Sequence, residues 1–290
     1  SIELLADINQ TPVARDGSVQ GFPALRRFGE LRGRLLGTAK APDGSYQLFA
    51  MDPVAQSATQ LTQFRSSRAY TESGIGFAVL ANLGSGSRLW FERYGEIWQT
   101  DGTPAGTRPT VDLGVLILQM ADLGNGRLLI WAAHHLWAFD GISANQIGSF
   151  PQPNFFTVLH ATNPRLNLSY FIQDQQSLWR TDGTTTVRVA ALPADARQLM
   201  QIGSRLMFTV QPVGGCELWS SDGTAAGTSK VLSLCSSNSR TPQMFTPAGD
   251  RLFFAADPVG AGLDLWVTDG STAGTRRVVD QVMAPYGGGI

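Results

Sequence analysis

Short apolar and aromatic segments alternate with polar turns along most of the chain. Arg205-Leu206-Met207-Phe208 and Arg251-Leu252-Phe253-Phe254 are examples, and each follows a turn that contains Gly. β-Branched and aromatic residues between such turns are typical of strands joined as hairpins. No stretch shows the spacing of apolar positions that marks an amphipathic helix. The pattern therefore predicts an all-β chain of short antiparallel strands.

A repeated phrase organises these strands: a Leu-Trp or similar doublet is followed by Asp-Gly. Successive aspartates of the phrase are about 40 to 50 residues apart, which is the length of a four-stranded propeller blade. A weaker copy ends at Asp52, where Phe49 replaces the tryptophan. The stronger copies contain Trp98 and Asp101, Trp137 and Asp140, Trp179 and Asp182, Trp219 and Asp222, and Trp266 and Asp269.

The Leu-Trp doublet also favours a particular arrangement of the sheets. Neighbouring residues of a strand, such as Leu218 and Trp219, point to opposite faces, so both faces must be buried. Blades stacked face to face provide that burial. The sequence thus predicts an all-β, six-bladed β-propeller of four-stranded antiparallel blades. We expect a single domain over residues 1–290, with repeats at approximately 23–64, 65–113, 114–150, 151–192, 193–235 and 241–281.

One apolar segment, residues 2–8, is left over from the six repeats. It has the composition of a fourth strand, although every repeat already contains one. We expect it to add to the last blade beside residues 276–280 and so to close the propeller. The alternative is that it belongs to a preceding unit.

The repeat resembles the ELWxxDGT-repeat family of bacterial secreted or surface proteins. Residues 217–224 match that pattern directly, and Gly227-Thr228 continue it. The resemblance implies a propeller outside the cytoplasm, and it implies no catalytic residues. It therefore favours a secreted, periplasmic or cell-surface location.

The Asp-Gly-Thr turn has a structural and a functional interpretation. An aspartate at a turn accepts hydrogen bonds from backbone N–H groups two residues on, and glycine supplies a positive φ. The alternative is a calcium site, but no copy has the dense alternating carboxylates of a calcium loop. We expect a structural role, with an arginine beside the aspartate, as in Arg205 with Asp222 and Arg251 with Asp269. The fourth repeat is the exception, because Asn167 holds the arginine position and leaves Asp182 without that partner.

The two cysteines, Cys216 and Cys235, flank the third and fourth predicted strands of the fifth repeat. Cross-strand partners lie close enough for a disulfide, so we predict a Cys216–Cys235 bond. Two buried free thiols are the alternative. A bond would favour an oxidising compartment.

Composition argues against some classes of partner. The net charge of −1 creates no field that would recruit nucleic acid or an anionic membrane. No apolar stretch reaches the ~18 residues of a membrane-spanning helix. We then expect the partner to be a protein, or a flanking domain of a larger surface protein, with a glycan as the alternative.

Candidate catalytic chemistry is sparse. His134, His135 and His160 show no metal-ligand spacing, and the chain has no phosphate loop or nucleophile elbow. We therefore expect no cofactor, no metal and no recognisable catalytic residue. The aromatic residues Tyr94, Phe155 and Phe156 form a possible ligand-facing patch in loops, and ordinary connections between blades are the alternative.

Three functions remain open on the sequence. The preferred one is a non-enzymatic extracytoplasmic propeller that binds a protein or acts as a scaffold in a bacterial surface or secreted assembly. The first alternative is a carbohydrate-binding, lectin-like propeller. The second is a hydrolase or lyase with a carboxylate site in the central channel, so an enzyme is disfavoured but stays open.

Overall fold

The protein has the fold of a six-bladed β-propeller, as the repeat predicts, and the strands of each blade follow one another in chain order. A computed structural model describes residues 26–40, 45–64, 81–82, 88–124, 126–150, 159–163, 166–236, 242–258 and 262–283. The described residues form six four-stranded sheets, and the strand pairs within them are antiparallel. The strand expected at residues 2–8 lies outside the described residues.

The chain divides into two compact units, and the first covers Ser1–Ser149. It contains blades one, two and three, numbered in chain order. The strands of these blades are β1 (Arg26–Leu31), β2 (Arg34–Lys40), β3 (Tyr46–Asp52), β4 (Ser57–Gln60), β5 (Ala81–Asn82), β6 (Leu89–Arg93), β7 (Glu96–Thr100), β8 (Arg108–Asp112), β9 (Ile117–Asp122), β10 (Leu128–Ala132), β11 (His135–Phe139) and β12 (Ala144–Ser149).

The second unit covers Phe150–Ile290 and contains blades four, five and six. Its strands are β13 (Leu159–Asn163), β14 (Leu168–Gln173), β15 (Ser177–Thr181), β16 (Thr186–Ala191), β17 (Asp195–Ile202), β18 (Arg205–Gln211), β19 (Gly215–Ser221), β20 (Ser229–Ser236), β21 (Gln243–Ala248), β22 (Arg251–Ala256), β23 (Leu263–Thr268) and β24 (Arg276–Met283).

The hydrophobic core lies between successive blades of each unit. In the second unit, Leu178 of blade four is fully buried in one cluster with Phe208 of blade five, and Trp219 packs against that cluster. Leu218 of blade five is buried in the same way with Phe254 of blade six. The two sides of the Leu-Trp doublet therefore contact two different sheets, which explains why both residues are apolar.

The first unit repeats this packing. Leu48 of blade one shares a buried cluster with Phe91 of blade two, and Trp98 packs against it. Ile97 of blade two is buried with Ile130 of blade three. Among the described residues, no helix is long and apolar enough to cross a membrane.

Candidate functional site

The loop between the third and fourth strands, here called the Asp loop, holds its own aspartate. In blade five, Asp222 Oδ1 accepts hydrogen bonds from the backbone N of Thr224 at 2.9 Å and from its Oγ1 at 2.7 Å. Thr224 Oγ1 in turn accepts a bond of 3.0 Å from the backbone N of Gly227. The same three bonds form around Asp101 in blade two and Asp269 in blade six.

The two ends of the Asp loop are tied together by hydroxyl groups. Ser221 Oγ and Thr228 Oγ1 lie 2.7 Å apart, and Ser221 Oγ also accepts a bond of 3.0 Å from the N of Gly223. Thr228 Oγ1 donates to the carbonyl of Thr224 at 2.6 Å. A Cβ at Gly227 would overlap the Asp222 carboxylate, so only glycine fits there. These contacts account for the Ser/Thr before the aspartate and the Gly-Thr that end the motif.

In the shorter Asp loops of blades one, three and four, the aspartate accepts two hydrogen bonds from backbone N–H groups. Asp182 Oδ1 accepts bonds from the backbone N of Thr184 at 2.8 Å and of Thr185 at 2.7 Å. Asp140 and Asp52 each accept two backbone bonds of the same kind. Each motif aspartate is thus committed to its own turn, which is the geometry that the Asp-Gly pattern predicts.

These hydrogen bonds stabilise the ionised carboxylates. The backbone N–H of Thr185, followed by the hydroxyl of Thr184, lowers the pKa of Asp182 from an ordinary value of 3.8 to about 2. Hydrogen bonds likewise lower the pKa of the other motif aspartates. Carboxylates of this kind are ionised at neutral pH and hold no proton for general acid chemistry. Among the described residues, no group of three or more His, Cys, Asp or Glu is placed to hold a metal ion.

The glycine of Asp-Gly also lies in close contact with side chains of the preceding blade. Gly223 of blade five has a φ of 88°, and a Cβ there would overlap the hydroxyl of Tyr170 in blade four. Arg180 Nη1 of blade four donates to the carbonyl of Gly223 at 3.4 Å. In blade six, a Cβ at Gly270 would come within 2.7 Å of Arg205 Cδ in blade five. The sequence pattern indicates only the positive φ, because the close approach depends on the neighbouring blade.

The motif tryptophans are half-buried rather than enclosed, and their indole nitrogens differ between blades. Trp219 Nε1 donates to Glu217 Oε2 at 2.9 Å, and Trp98 Nε1 donates to Glu96 Oε2 at 3.0 Å. The indole nitrogens of the other three motif tryptophans are buried without a hydrogen-bond partner among the described residues, namely those of Trp137, Trp179 and Trp266. The glutamate of the motif therefore acts as an acceptor for the tryptophan two residues later.

The expected pairing of arginine with aspartate forms a salt bridge in blade one, but among the described residues no salt bridge joins Arg205 to Asp222 or Arg251 to Asp269. Arg34 Nε lies 3.9 Å from Asp52 Oδ2. Arg205 Nη1 instead donates to Ser220 Oγ at 3.3 Å. Arg205 still lowers the pKa of Asp222 through its charge, after the larger effects of the Thr224 hydrogen bonds.

The predicted disulfide is confirmed. Cys216 and Cys235 are bonded, and they are cross-strand partners of β19 and β20 with their Cα atoms 5.1 Å apart. The bond joins the third strand of blade five to its outermost strand.

Comparison with solved structures gives likenesses of fold at low sequence identity. A puromycin hydrolase matches with a TM-score of 0.51 and 13% identity, over 90% of this chain and 47% of that one. A structure from a study of two prolyl endopeptidases matches with a TM-score of 0.54 and 10% identity, over 90% and 43%. A protein from Lactobacillus plantarum matches with a TM-score of 0.50 and 13% identity, over 87% and 82%.

The likeness is one of fold. The chain spans less than half the length of the puromycin hydrolase and prolyl endopeptidase structures that it matches. No family model matches the sequence, and no curated protein matches it. The ELWxxDGT resemblance therefore stays a prediction.

The predicted aromatic patch is described only in part, because Phe155 and Phe156 lie outside the described residues. Tyr94 lies in the turn between β6 and β7 with a φ of 52°, and 49% of its surface is exposed. The guanidinium carbon of Arg93 lies 5.2 Å from the centre of its ring and 3.8 Å from that of Phe64. Sequence reasoning missed Arg93 and Phe64, since they are far apart in the chain and belong to different blades.

The structure describes the side chains of two of the three histidines. His134 is exposed in the turn between β10 and β11, and the half-buried His135 begins β11, with their ring centres 6.4 Å apart. The side chain of His160 lies outside the described residues.

The tips of the Asp loops carry exposed apolar side chains that the sequence pattern did not predict as binding residues. Val54 in blade one is 93% exposed, and Ile142 in blade three is 84% exposed. In blade two the tip consists of the exposed residues Pro104 and Ala105. The only signal in the sequence is a lack of charge at these positions.

Proposed function

We propose that this chain is a non-enzymatic, extracytoplasmic propeller that binds a protein partner through the Asp-loop tips of its first unit. The observation that carries the proposal is the combination of a fixed loop with an apolar tip. Val54 and Ile142 are almost fully exposed next to aspartates that are hydrogen-bonded within their own turns. Burying exposed apolar side chains against a partner lowers the free energy, because it removes their surface from water.

The Asp loops of neighbouring blades present their tips at the same end of the sheets. A Cβ at Gly102, in the Asp loop of blade two, would lie 3.6 Å from Leu31 Cδ2, which adjoins the β1–β2 turn of blade one. A turn between first and second strands lies at the same end of a sheet as the loop between its third and fourth strands. The tips at Val54 and Pro104 therefore belong to one end of the first unit.

Rigidity supports a binding role for these tips. Thr103 and Thr107 close the blade-two loop through hydrogen bonds of 2.6 to 3.0 Å, so little conformational entropy is lost when a partner docks. The motif carboxylates are occupied within the same loops and have lowered pKa values, which disfavours their use as general acids.

The location is proposed on separate grounds. The Cys216–Cys235 disulfide is of the kind that persists in oxidising compartments. The resemblance to ELWxxDGT repeats favours the same location, and the family's surface proteins favour a flanking domain of a larger assembly as a partner. The whole-protein activities of the matched hydrolase and endopeptidase are not transferred, because the likeness extends only to fold.

The proposal is tested by site-specific photocrosslinking in the envelope of cells that produce the protein. A photoreactive residue is placed at Val54 or Ile142, and the matched control carries it at Val213, an exposed position in the turn between β18 and β19. We expect both tip positions to give the same discrete protein adduct and Val213 not to give it. Adducts of equal yield at all three positions, or none at the tips, would overturn the proposal.

A second experiment distinguishes the proposed function from the lectin-like and enzymatic alternatives. The same purified protein is applied to a glycan array and to a panel of glycoside and peptide substrates. A glycan ligand whose binding is unchanged by Ile142→Glu would favour the lectin-like alternative. Turnover that survives Val54→Glu and Ile142→Glu would favour an enzyme.

A further inference from the structure

Arg93 lies over an aromatic ring at the other end of blade two. It is the last residue of β6, and its guanidinium carbon lies over the Phe64 ring at 3.8 Å from the ring centre. Phe64 is buried, and its ring packs edge-on against Trp98 with the centres 5.0 Å apart. A guanidinium over the face of a buried aromatic ring is held there by a cation–π interaction.

The neighbouring carboxylates make other bonds. Glu92 Oε1 accepts a bond of 3.1 Å from the backbone N of Gly95, and Glu96 Oε2 accepts the Trp98 indole bond. In the part of the chain that the structure describes, the salt bridges involve other cations, namely Arg34, Arg197, Lys230 and Arg277. Arg93 Nε is buried without a hydrogen-bond partner among these residues. The Arg93 side chain is half-buried, so a ligand would bond to its terminal nitrogens and not to the enclosed Nε.

Tyr94 completes the arrangement. Its φ of 52° and the φ of 91° at Gly95 are those of the two-residue hairpin turn that joins β6 to β7. The turn holds a half-exposed tyrosine whose ring centre lies 5.2 Å from the Arg93 guanidinium carbon. Tyr and Arg are among the residue types most enriched as interface anchors.

We infer that Arg93 and Tyr94 form a binding site for a carboxylate of an acidic peptide segment. The guanidinium edge binds the carboxylate through two parallel hydrogen bonds, and the Tyr94 ring packs on the adjoining apolar part of the ligand. The site goes beyond the proposed function, because it lies at the opposite end of blade two from Pro104 and Ala105. Loss of one site is therefore distinguishable from loss of the other.

The test uses the whole chain and a fluorescein-labelled hexaglutamate peptide, with binding followed by fluorescence anisotropy at low salt. Arg93→Lys keeps the charge but removes the planar fork, and we expect it to weaken binding by about tenfold. Tyr94→Asn keeps a residue that tolerates the turn and removes the ring, and we expect binding to weaken severalfold. The matched control, Arg108→Gln, removes an exposed charge from β8 of the same blade and should leave the affinity within about twofold.

Competing ligands show which chemical group the site recognises. Unlabelled hexaglutamate should displace the probe and hexaglutamine should not. Equal binding by Arg93→Lys and the unchanged protein, or no binding by the latter, overturns the site. A glucuronate oligosaccharide that displaces the probe more strongly than the peptide does overturns the peptide assignment in favour of an acidic sugar. Urea unfolding midpoints of the variants check that they are folded.

Discussion

Glu217 accepts a hydrogen bond from the indole nitrogen of Trp219, two residues further along the same strand. Residues two apart in a strand project from the same face of the sheet, so the carboxylate lies within reach of the indole. Glu96 and Trp98 repeat the relationship in blade two. The glutamate of the repeated phrase thus satisfies a donor that is otherwise buried. Ser177 holds the same place before Trp179, whose indole nitrogen has no partner among the described residues.

This difference predicts that Ser177→Glu stabilises the protein. The new carboxylate supplies an acceptor for Trp179 Nε1, and we expect a gain of about 1 kcal/mol in the free energy of unfolding. Urea unfolding measures it. Ser177→Met is the matched control, because it adds a side chain of similar length without an acceptor. Equal stabilisation by Glu and Met would contradict the hydrogen-bond explanation.

The contact between Gly223 and Tyr170 predicts a steric cost at the Asp loop. Gly223→Ala should destabilise the protein by about 1–2 kcal/mol for the positive φ, and by about 1–3 kcal/mol more for overlap with the Tyr170 hydroxyl. Gly102→Ala is the matched control, since its φ is 86° and its Cβ would meet only Leu31 Cδ2 at an ordinary distance. Thermal unfolding of both variants isolates the steric part.

A second variant checks the same contact from the other side. Tyr170→Phe removes the hydroxyl that the new methyl would meet, so it should recover part of the stability lost in Gly223→Ala. Tyr170→Phe combined with Gly102→Ala should show no such recovery. Identical losses in Gly223→Ala and Gly102→Ala would mean that the positive φ accounts for the whole cost and that the Tyr170 contact adds nothing.

The lowered pKa of Asp182 predicts a loss of stability in acid. A carboxyl whose pKa is lower in the folded state stabilises that state above its ordinary pKa and loses the effect as pH falls through the folded value. For Asp182 the window runs from an ordinary pKa of 3.8 down to about 2. Above pH 4, Asp182→Asn should be less stable than the unchanged protein, and the difference should shrink as the pH falls to 2. Urea midpoints across this range measure it, and a constant difference would contradict the assignment.

The Cys216–Cys235 bond predicts a loss of stability on its removal. The two cysteines are 19 residues apart in the chain, and replacing both with alanine should cost about 3 kcal/mol in the chain-entropy model. Reduction of the unchanged protein before unfolding should give a comparable loss, and reduction of the double variant should give none. In the denatured, unreduced protein a thiol assay should detect no free thiol.

Most of the fold could be predicted from the sequence, because the information is local and repeated. Leu218 and Trp219 indicate a sheet covered on both faces, and the pairing of Cys216 with Cys235 follows from their places on either side of one turn. The six four-stranded sheets agree with both inferences. The strand expected at residues 2–8 stays a prediction, since it lies outside the described residues.

The details of the candidate sites could not be predicted, because they depend on contacts between blades. Nothing near Arg93 in the sequence indicates Phe64, which reaches it from the previous blade. Arg205 lies near enough to Asp222 to lower its pKa, but it bonds to Ser220 and forms no salt bridge with Asp222, and register alone cannot rank a nearby hydroxyl against a carboxylate. The bulges at Gln198 and Met244, which have φ values of 57° and 60°, were also missed, since neither residue is the glycine that such a bend usually contains.

The hydrogen bonds of the Asp loop have a consequence for how the sequence can change. In blade five the loop is held by Ser221, Asp222, Thr224 and Thr228, while the side chains of Ala225 and Ala226 are exposed. Those two positions can accept new side chains in evolution, or in the laboratory, without disturbing the frame that holds them. A chain with several such loops can acquire a new recognition specificity at one blade while the others keep the molecule folded.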